Sequence, residues 1–386
     1  MTEKQRPFGL YIHWPFCLSK CPYCDFNSHV RNHVDFSLWE KALLAELEYY
    51  GKQTKGRILT SIFFGGGTPS LMPPFLVARL IDQCSVYWNL NPSLEITLEA
   101  NPTSSESLSF KALAKAGVNR LSLGIQALND QDLHFLGRQH KAEEALNALY
   151  MAQDIFPRFS FDLIYARPNQ SLKNWEQELK QALALKSNHL SLYQLTIEPN
   201  TAFATFVHQK KFIPLDEEPS DNLYDLTQSM LEDHDLPAYE ISNHARKGHE
   251  SLHNLIYWHY DDYIGIGPGA HGRLTLDNIK YTTYQERLPE TWLKTVLHQG
   301  HATHTKSLLT FEEKFQEFML MNLRLKDGFT LKRFDAEFNQ SFDTLLNPKI
   351  VQNLIDYNLV VKNDENFSLT KNGFKKLNAV LYHLLA

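Results

Sequence analysis

The sequence predicts an α/β fold built on a parallel sheet, followed by a small α+β module. From residue 8 to about 197, short apolar runs alternate six times with segments of helical period, the pattern of strands joined by crossover helices. Beyond about residue 300 that alternation stops, and helices are followed by one hairpin-like stretch.

The strand candidates are Phe8–Trp14, Ile58–Phe64, Leu94–Glu99, Arg120–Ile125, Phe159–Tyr165 and His189–Ile197. Between the first two, Phe36, Trp39, Leu43 and Leu47 recur on one helical face behind Asp35, a side chain suited to capping. Further helices are expected near Pro74–Val86, Ser105–Ala116, Ala142–Ile155 and Leu172–Leu185. Parallel strands linked this way take right-handed crossovers, in an open sheet or curled into a barrel. Residues 200–300 are less regular, with a helix over Ser220–His234 and a strand over Ala238–Ile241. Thr310 and Glu313 form a capping-box signature ahead of a helix through Leu325, and Leu331–Phe338 and Lys349–Tyr357 follow as helices. The alternation in LVVKNDENFSLT then reads as a hairpin, and one more helix closes a winged-helix-like module. The expected division is 1–300 and 301–386.

Such modules often bind DNA, but this one carries 11 Lys/Arg against 10 Asp/Glu, and the whole chain has a formal charge of −6. That balance argues against a nucleic-acid partner. The first residues lack an apolar stretch of leader length and no later run approaches a membrane span, so a cytoplasmic location is expected. In a reducing compartment structural disulfides are rare, and three of the four cysteines cluster in Cys17-Leu-Ser-Lys-Cys21-Pro-Tyr-Cys24 directly after the first strand.

Three thiolates on so short a loop can converge on one object, and soft sulfur selects iron–sulfur clusters, zinc or copper(I). Three cysteines on a four-iron cluster leave one iron open to a small molecule. The competing reading is a structural Cys3His zinc site completed by His13 or His29. Zinc motifs usually split into two separated knuckles, which this chain lacks. At the end of the second strand stands Gly65-Gly66-Gly67-Thr68-Pro69, where missing side chains would let the backbone approach a ligand.

At these residues the chain resembles the radical S-adenosylmethionine (SAM) superfamily, and YIHWPFC, FFGGGTPS, ITLEANP, RLSLGIQ and FDLIY, in that order, resemble its oxygen-independent coproporphyrinogen III oxidase branch. The resemblance implies a partial (β/α)6 barrel with a [4Fe–4S] cluster on Cys17, Cys21 and Cys24. SAM would fill the fourth iron site, with an electron donor reducing the cluster. It further implies Tyr11 beside SAM, Gly66, Gly67 and Thr68 at its methionine part, and Glu99, Gln126, Arg138 and Asp162 around the rest. Carboxylates suit ribose hydroxyls or an ammonium, and an arginine suits a carboxylate. Reductive cleavage of SAM is the chemistry the superfamily implies.

Two departures separate the chain from the oxidases of that branch. The oxidase pattern has a cysteine two positions after the third, where this chain has Phe26, and a long extension before the motif, where only 16 residues precede Cys17. Both resemble the HemW family of heme chaperones, as does His253-Asn254-Leu-Ile-Tyr257-Trp258, which matches that family's HNxxYW segment. The resemblance implies heme as ligand, held by His253, Asn254, Tyr257 and Trp258. It also implies transfer to haemoproteins such as respiratory enzymes, some of them membrane-bound, and by analogy a homodimer. An imidazole can ligate heme iron and flat aromatics can enclose a porphyrin. The alternative functions are a coproporphyrinogen III dehydrogenase of porphyrin biosynthesis and a non-catalytic zinc protein. Where the branch commonly has DLIYGLP, this chain has Ala166 and Arg167, which would restrict the backbone and add charge near the site.

Overall fold

The computed structural model describes residues 6–31 and 33–385. Residues 1–5, which open the stretch read as too polar for a leader, lie outside them. The alternating pattern forms β1 (Phe8–Trp14), β2 (Ile58–Gly66), β3 (Asn89–Ala100), β4 (Arg120–Gln126), β5 (Arg158–Tyr165) and β6 (His189–Gln194). All six run parallel and in sequence order. The expected first helix spans Phe36–Gln53; Asp35 caps it by accepting from the Ser37 and Leu38 N–H groups, and Trp39, Leu43 and Leu47 are buried.

The irregular middle of the chain supplies five more strands: β7 (Asn243–Ala245), β8 (Asp262–Ile266), β9 (His271–Leu276), β10 (Ile279–Gln285) and β11 (Thr303–Leu308). They complete an eleven-stranded sheet of order β11-β10-β9-β8-β1-β2-β3-β4-β5-β6-β7. β8 lies parallel to β1, so a seventh parallel strand arrives from a distant part of the chain. The sheet is open, consistent with the partial barrel the resemblance implies: among the described residues its edge strands β7 and β11 do not pair.

Two expectations are corrected. Ala238–Ile241 makes only isolated bridges, and the strand beside β6 is β7. The buried Glu240 carboxylate accepts from the Ser242 N–H and the Asn243 side chain and pairs with Arg324, which turns the chain there. The helix expected over Ser105–Ala116 divides into Ser104–Ser107 and Phe110–Lys115. Glu106 pins the first piece by accepting from Ser70 Oγ and the Asn101 N–H.

A buried ion group seams β8 into the sheet. Arg57 Nη1, just before β2, donates to Asp262 Oδ2 at 2.7 Å, and Lys280 Nζ lies 3.6 Å from Oδ1. Thr275 donates its N–H and Oγ to the same carboxylate. Beyond β11, Thr310 and Glu313 cap the helix Phe311–Asn322 reciprocally. A second hydrophobic core, with Phe318, Phe334, Phe342 and Phe367, lies under a three-stranded antiparallel sheet. No helix of the described residues is long and apolar enough to cross a membrane.

Candidate functional site

The carboxyl ends of the parallel strands meet at one rim, where side chains from several strands converge. The cysteine loop begins there and is closed by pairing of Phe16–Cys17 with His29–Val30. Asn27 ties it to the far side of the rim, its Nδ2 donating to the carbonyls of Pro268 and Arg287, each at 2.9 Å. Cys17, Cys21 and Cys24 are half-buried free thiols bordering a single cleft of about 1020 Å³ including its open mouth. Thr68 Oγ1 donates to Cys17 Sγ at 3.3 Å, and Arg138 Nη1 donates to Cys21 Sγ at 3.3 Å. Burial pushes the Cys17 and Cys24 thiols up.

Gly66, Gly67, Thr68, Glu99, Gln126, Arg138 and Asp162 line the same cleft. The glycines also answer a need of the protein itself. Gly66 has φ +112°, and a Cβ there would lie 2.6 Å from His13 Cε1; a Cβ on Gly67 would lie 2.8 Å from the Phe16 carbonyl oxygen. The run therefore lets β2 pack against the base of the cysteine loop. The freed Gly66 N–H donates to Glu99 Oε2 at 3.2 Å. Gln126 holds φ +76°, a conformation that costs a side-chain-bearing residue about 1–3 kcal/mol and clusters at functional sites.

Electrostatically the cleft is poised. Burial, then the nearby Asp162, pushes Glu99 up to about 8, and burial pushes Asp162 up to about 6. Arg138 Nη2 donates to Asn101 Oδ1 and to the Gly124 carbonyl, while its buried Nε has no partner among the described residues. Tyr11 lies on the wall between the cleft and a second, adjoining cavity. Its hydroxyl meets His13 Nδ1 at 3.0 Å, and the cavity shares Phe26, Gly66 and Glu99 with the cleft.

Of the two histidines proposed for zinc, His13 has both ring nitrogens engaged, whereas His29 has only Nε2 engaged. His13 spends its ring on Tyr11 and, at 2.9 Å, on the Asn27 carbonyl, and His29 Nε2 meets Asn27 Oδ1. Among the described residues no three His, Cys, Asp or Glu side chains converge closely enough for a single ion.

The HNLIYW segment forms the helix Leu252–Trp258, capped by Ser251. His253 is fully buried, with Nδ1 2.7 Å from Ser61 Oγ and Nε2 2.7 Å from the Tyr257 hydroxyl. Its ring therefore presents no free nitrogen to a ligand, and burial pushes it down to about 3. Trp258 sits under the Arg324 guanidinium, which lies 4.5 Å from its ring. Neither Trp258 nor Asn254 borders the cleft or the adjoining cavity; of the four expected heme residues only Tyr257 reaches the cavity. Ala166 takes φ +56°, and Arg167 turns away to pair with Glu178 and Asp132. The extra charge is thus neutralised behind the site.

Family models match in two places: the radical SAM superfamily over residues 11–182 and the HemN C-terminal domain over residues 309–374. The chain belongs to the radical SAM superfamily. Its relatives run its full length. It is 36% identical to the mitochondrial radical S-adenosyl methionine domain-containing protein 1 of Bos taurus, over 98% of this chain and 87% of that one. It is 34% identical to the heme chaperone HemW of Escherichia coli over 99% of both chains, and 35% identical to that of Haemophilus influenzae over 98% of both. The radical SAM coproporphyrinogen III oxidase (HemN) of Escherichia coli superposes with a TM-score of 0.82 at 21% identity, covering 99% of this chain and 90% of that one, a likeness of fold. Membership in the radical SAM superfamily implies a [4Fe–4S] cluster and SAM. The three thiols around one cleft, two of them accepting hydrogen bonds, fit such a cluster.

Sequence reasoning did not single out Asn101, Tyr23 or His140 in the cleft, nor Tyr263, Tyr284 and Arg287 in the cavity. Asn101 stands inside ITLEANP, so the quoted motif held it; the cavity residues follow from β8–β10, whose return to β1 has no local signature.

Proposed function

We propose that this chain is a heme chaperone: it binds heme and transfers it to haemoproteins. Full-length identity of 33–35% to proteins named heme chaperone HemW carries the reading. Phe26, 59% exposed beside both the cleft and the cavity, supports it, because it stands two positions after Cys24, where the oxidase pattern has a further cysteine. The second core and the match over 309–374 support the division into 1–300 and 301–386.

In this reading Cys17, Cys21 and Cys24 hold the cluster. When bound, the cluster and SAM supply one-electron chemistry. Thr68 and Arg138 orient and polarise the sulfurs from outside, a role that tunes such centres. Glu99 and Asp162 offer carboxylates to hydroxyl or ammonium groups of SAM, and Gly66, Gly67 and Gln126 shape the cleft. Tyr11, on the wall shared with the cavity, keeps a place beside SAM. The acceptors would be respiratory or other haemoproteins, and dimerisation is part of the same proposal.

Two assays on one anaerobically reconstituted preparation test it. Heme-loaded protein should pass heme to an apo-haemoprotein, read by the acceptor's Soret band. Incubation with coproporphyrinogen, SAM and reductant should leave the substrate unchanged. Protoporphyrinogen formation without heme transfer would replace the chaperone reading with the dehydrogenase one.

A further inference from the structure

The cavity beside the cysteine cleft joins residues of several motifs (Tyr11, His13, Gly66, Glu99, Tyr257) to residues that no motif singled out, among them Tyr284 and Arg287. Its volume is about 450 Å³, within the usual range for small-molecule sites. Its walls are flat and aromatic: Tyr257 and Tyr263 meet edge-on at 4.6 Å between ring centroids, and His271 leans on Tyr284 at 4.5 Å. Such rings suit a planar macrocycle.

Two histidines line it. His13 spends both ring nitrogens on Tyr11 and Asn27. His271, at the exposed start of β9, makes no side-chain hydrogen bond among the described residues. Burial of part of its ring, then the charge of Arg273, pushes it below the usual histidine range, so the neutral, ligating form prevails at pH 7. Arg287 stands exposed at the rim with no acidic partner among the described residues. A guanidinium there matches a carboxylate held at the edge of a bound ring. Asn27, which accepts the approach of Gly269 and holds the Arg287 carbonyl, fixes this wall to the cysteine loop.

We propose that this cavity seats heme, with His271 as the iron ligand and Arg287 as the partner of a propionate. The assignment rests on the chaperone reading and moves the ligand from His253, whose nitrogens are occupied, to the histidine that is free to turn. It also sets the heme against Phe26 and Gly66, one wall away from the three cysteines.

Hemin titration of the full, anaerobically reconstituted chain tests it. Wild type should show a saturable Soret shift. His271→Ala should lose the ligated band and bind about tenfold or more weakly, and added imidazole should restore the band. His271→Cys should move the band to a thiolate-ligated position, and Arg287→Glu should weaken binding without moving it. His271→Ala and His271→Cys proteins that keep the wild-type band and affinity would overturn the assignment while leaving the chaperone reading intact. A wild-type protein with no saturable heme band would instead remove the chaperone reading itself.

Discussion

Asp262→Asn isolates the seam that joins β8 to β1. The substitution keeps the side chain's shape and removes its charge. Arg57 and Asp262 are each 1% exposed and Lys280 is 4% exposed, so two cations lose their counter-charge where water cannot replace it. Arg57 is especially dependent on the carboxylate, because its Nε and Nη2 have no other partners among the described residues. Breaking a buried pair by removing one member costs about 3–5 kcal/mol. With an unfolding entropy of about 2.1 cal/mol/K per residue, a 386-residue chain melting as one unit should lose roughly 4–6 °C in Tm. Calorimetry at pH 7 reads this directly. The wild-type carboxyl lies below its ordinary range: desolvation raises it, but Lys280 and Arg57 outweigh that. Its stabilisation is therefore present above the unfolded value near 3.9 and disappears as pH falls through the depressed folded value. The variant should lack this acid-limb loss. A Tm drop of under about 1 °C at pH 7, with an unchanged acid limb, would refute the reasoning.

Serine in place of Cys17, Cys21 or Cys24 should each abolish the brown absorbance and EPR signal after reconstitution with iron and sulfide, whereas Cys84→Ser, on a buried helix residue, should keep both. Gly66→Ala should cost about 1–3 kcal/mol from the left-handed backbone alone and more from the clash with His13, read as a lower Tm and reduced iron content. SAM binding should strengthen from pH 6 towards pH 9, because Glu99, raised to about 8 by burial and then by Asp162, gains its charge over that interval; Glu99→Gln should flatten the profile in isothermal titration calorimetry. Arg167→Ala should destabilise the chain by leaving the buried Glu178 short of its main partner, with SAM affinity unchanged.

The parallel core was legible because each of its strands is a short apolar run followed by a helix with its own periodic face, as in Phe8–Trp14 leading to Trp39, Leu43 and Leu47. The cysteine cleft was legible for the same reason: strand ends in sequence order converge on one rim. β8 was not, since Asp262–Ile266 reaches β1 across more than half the chain. That gap leaves two histidines alike in the sequence. His253 and His271 lie in one polar, aromatic segment, and only the burial of one against Ser61 and the opening of the other onto a cavity tell them apart. Ala238–Ile241 failed differently: a buried carboxylate at Glu240 recruits local donors and bends a segment of high strand propensity.

The late arrival of the seventh parallel strand has a consequence for assembly. A nascent chain that has emerged only as far as residue 200 already carries every thiol, yet the flank of β1 is bare and Asn27 has neither carbonyl to grip. Metal loading at that stage would act on a loop with one anchor missing. Both of the carbonyls that Asn27 holds exist only once Arg287 has been synthesised, so stable incorporation is expected after that point. A fragment containing all of the cysteines but ending before β8 should therefore lose iron faster than the full-length protein.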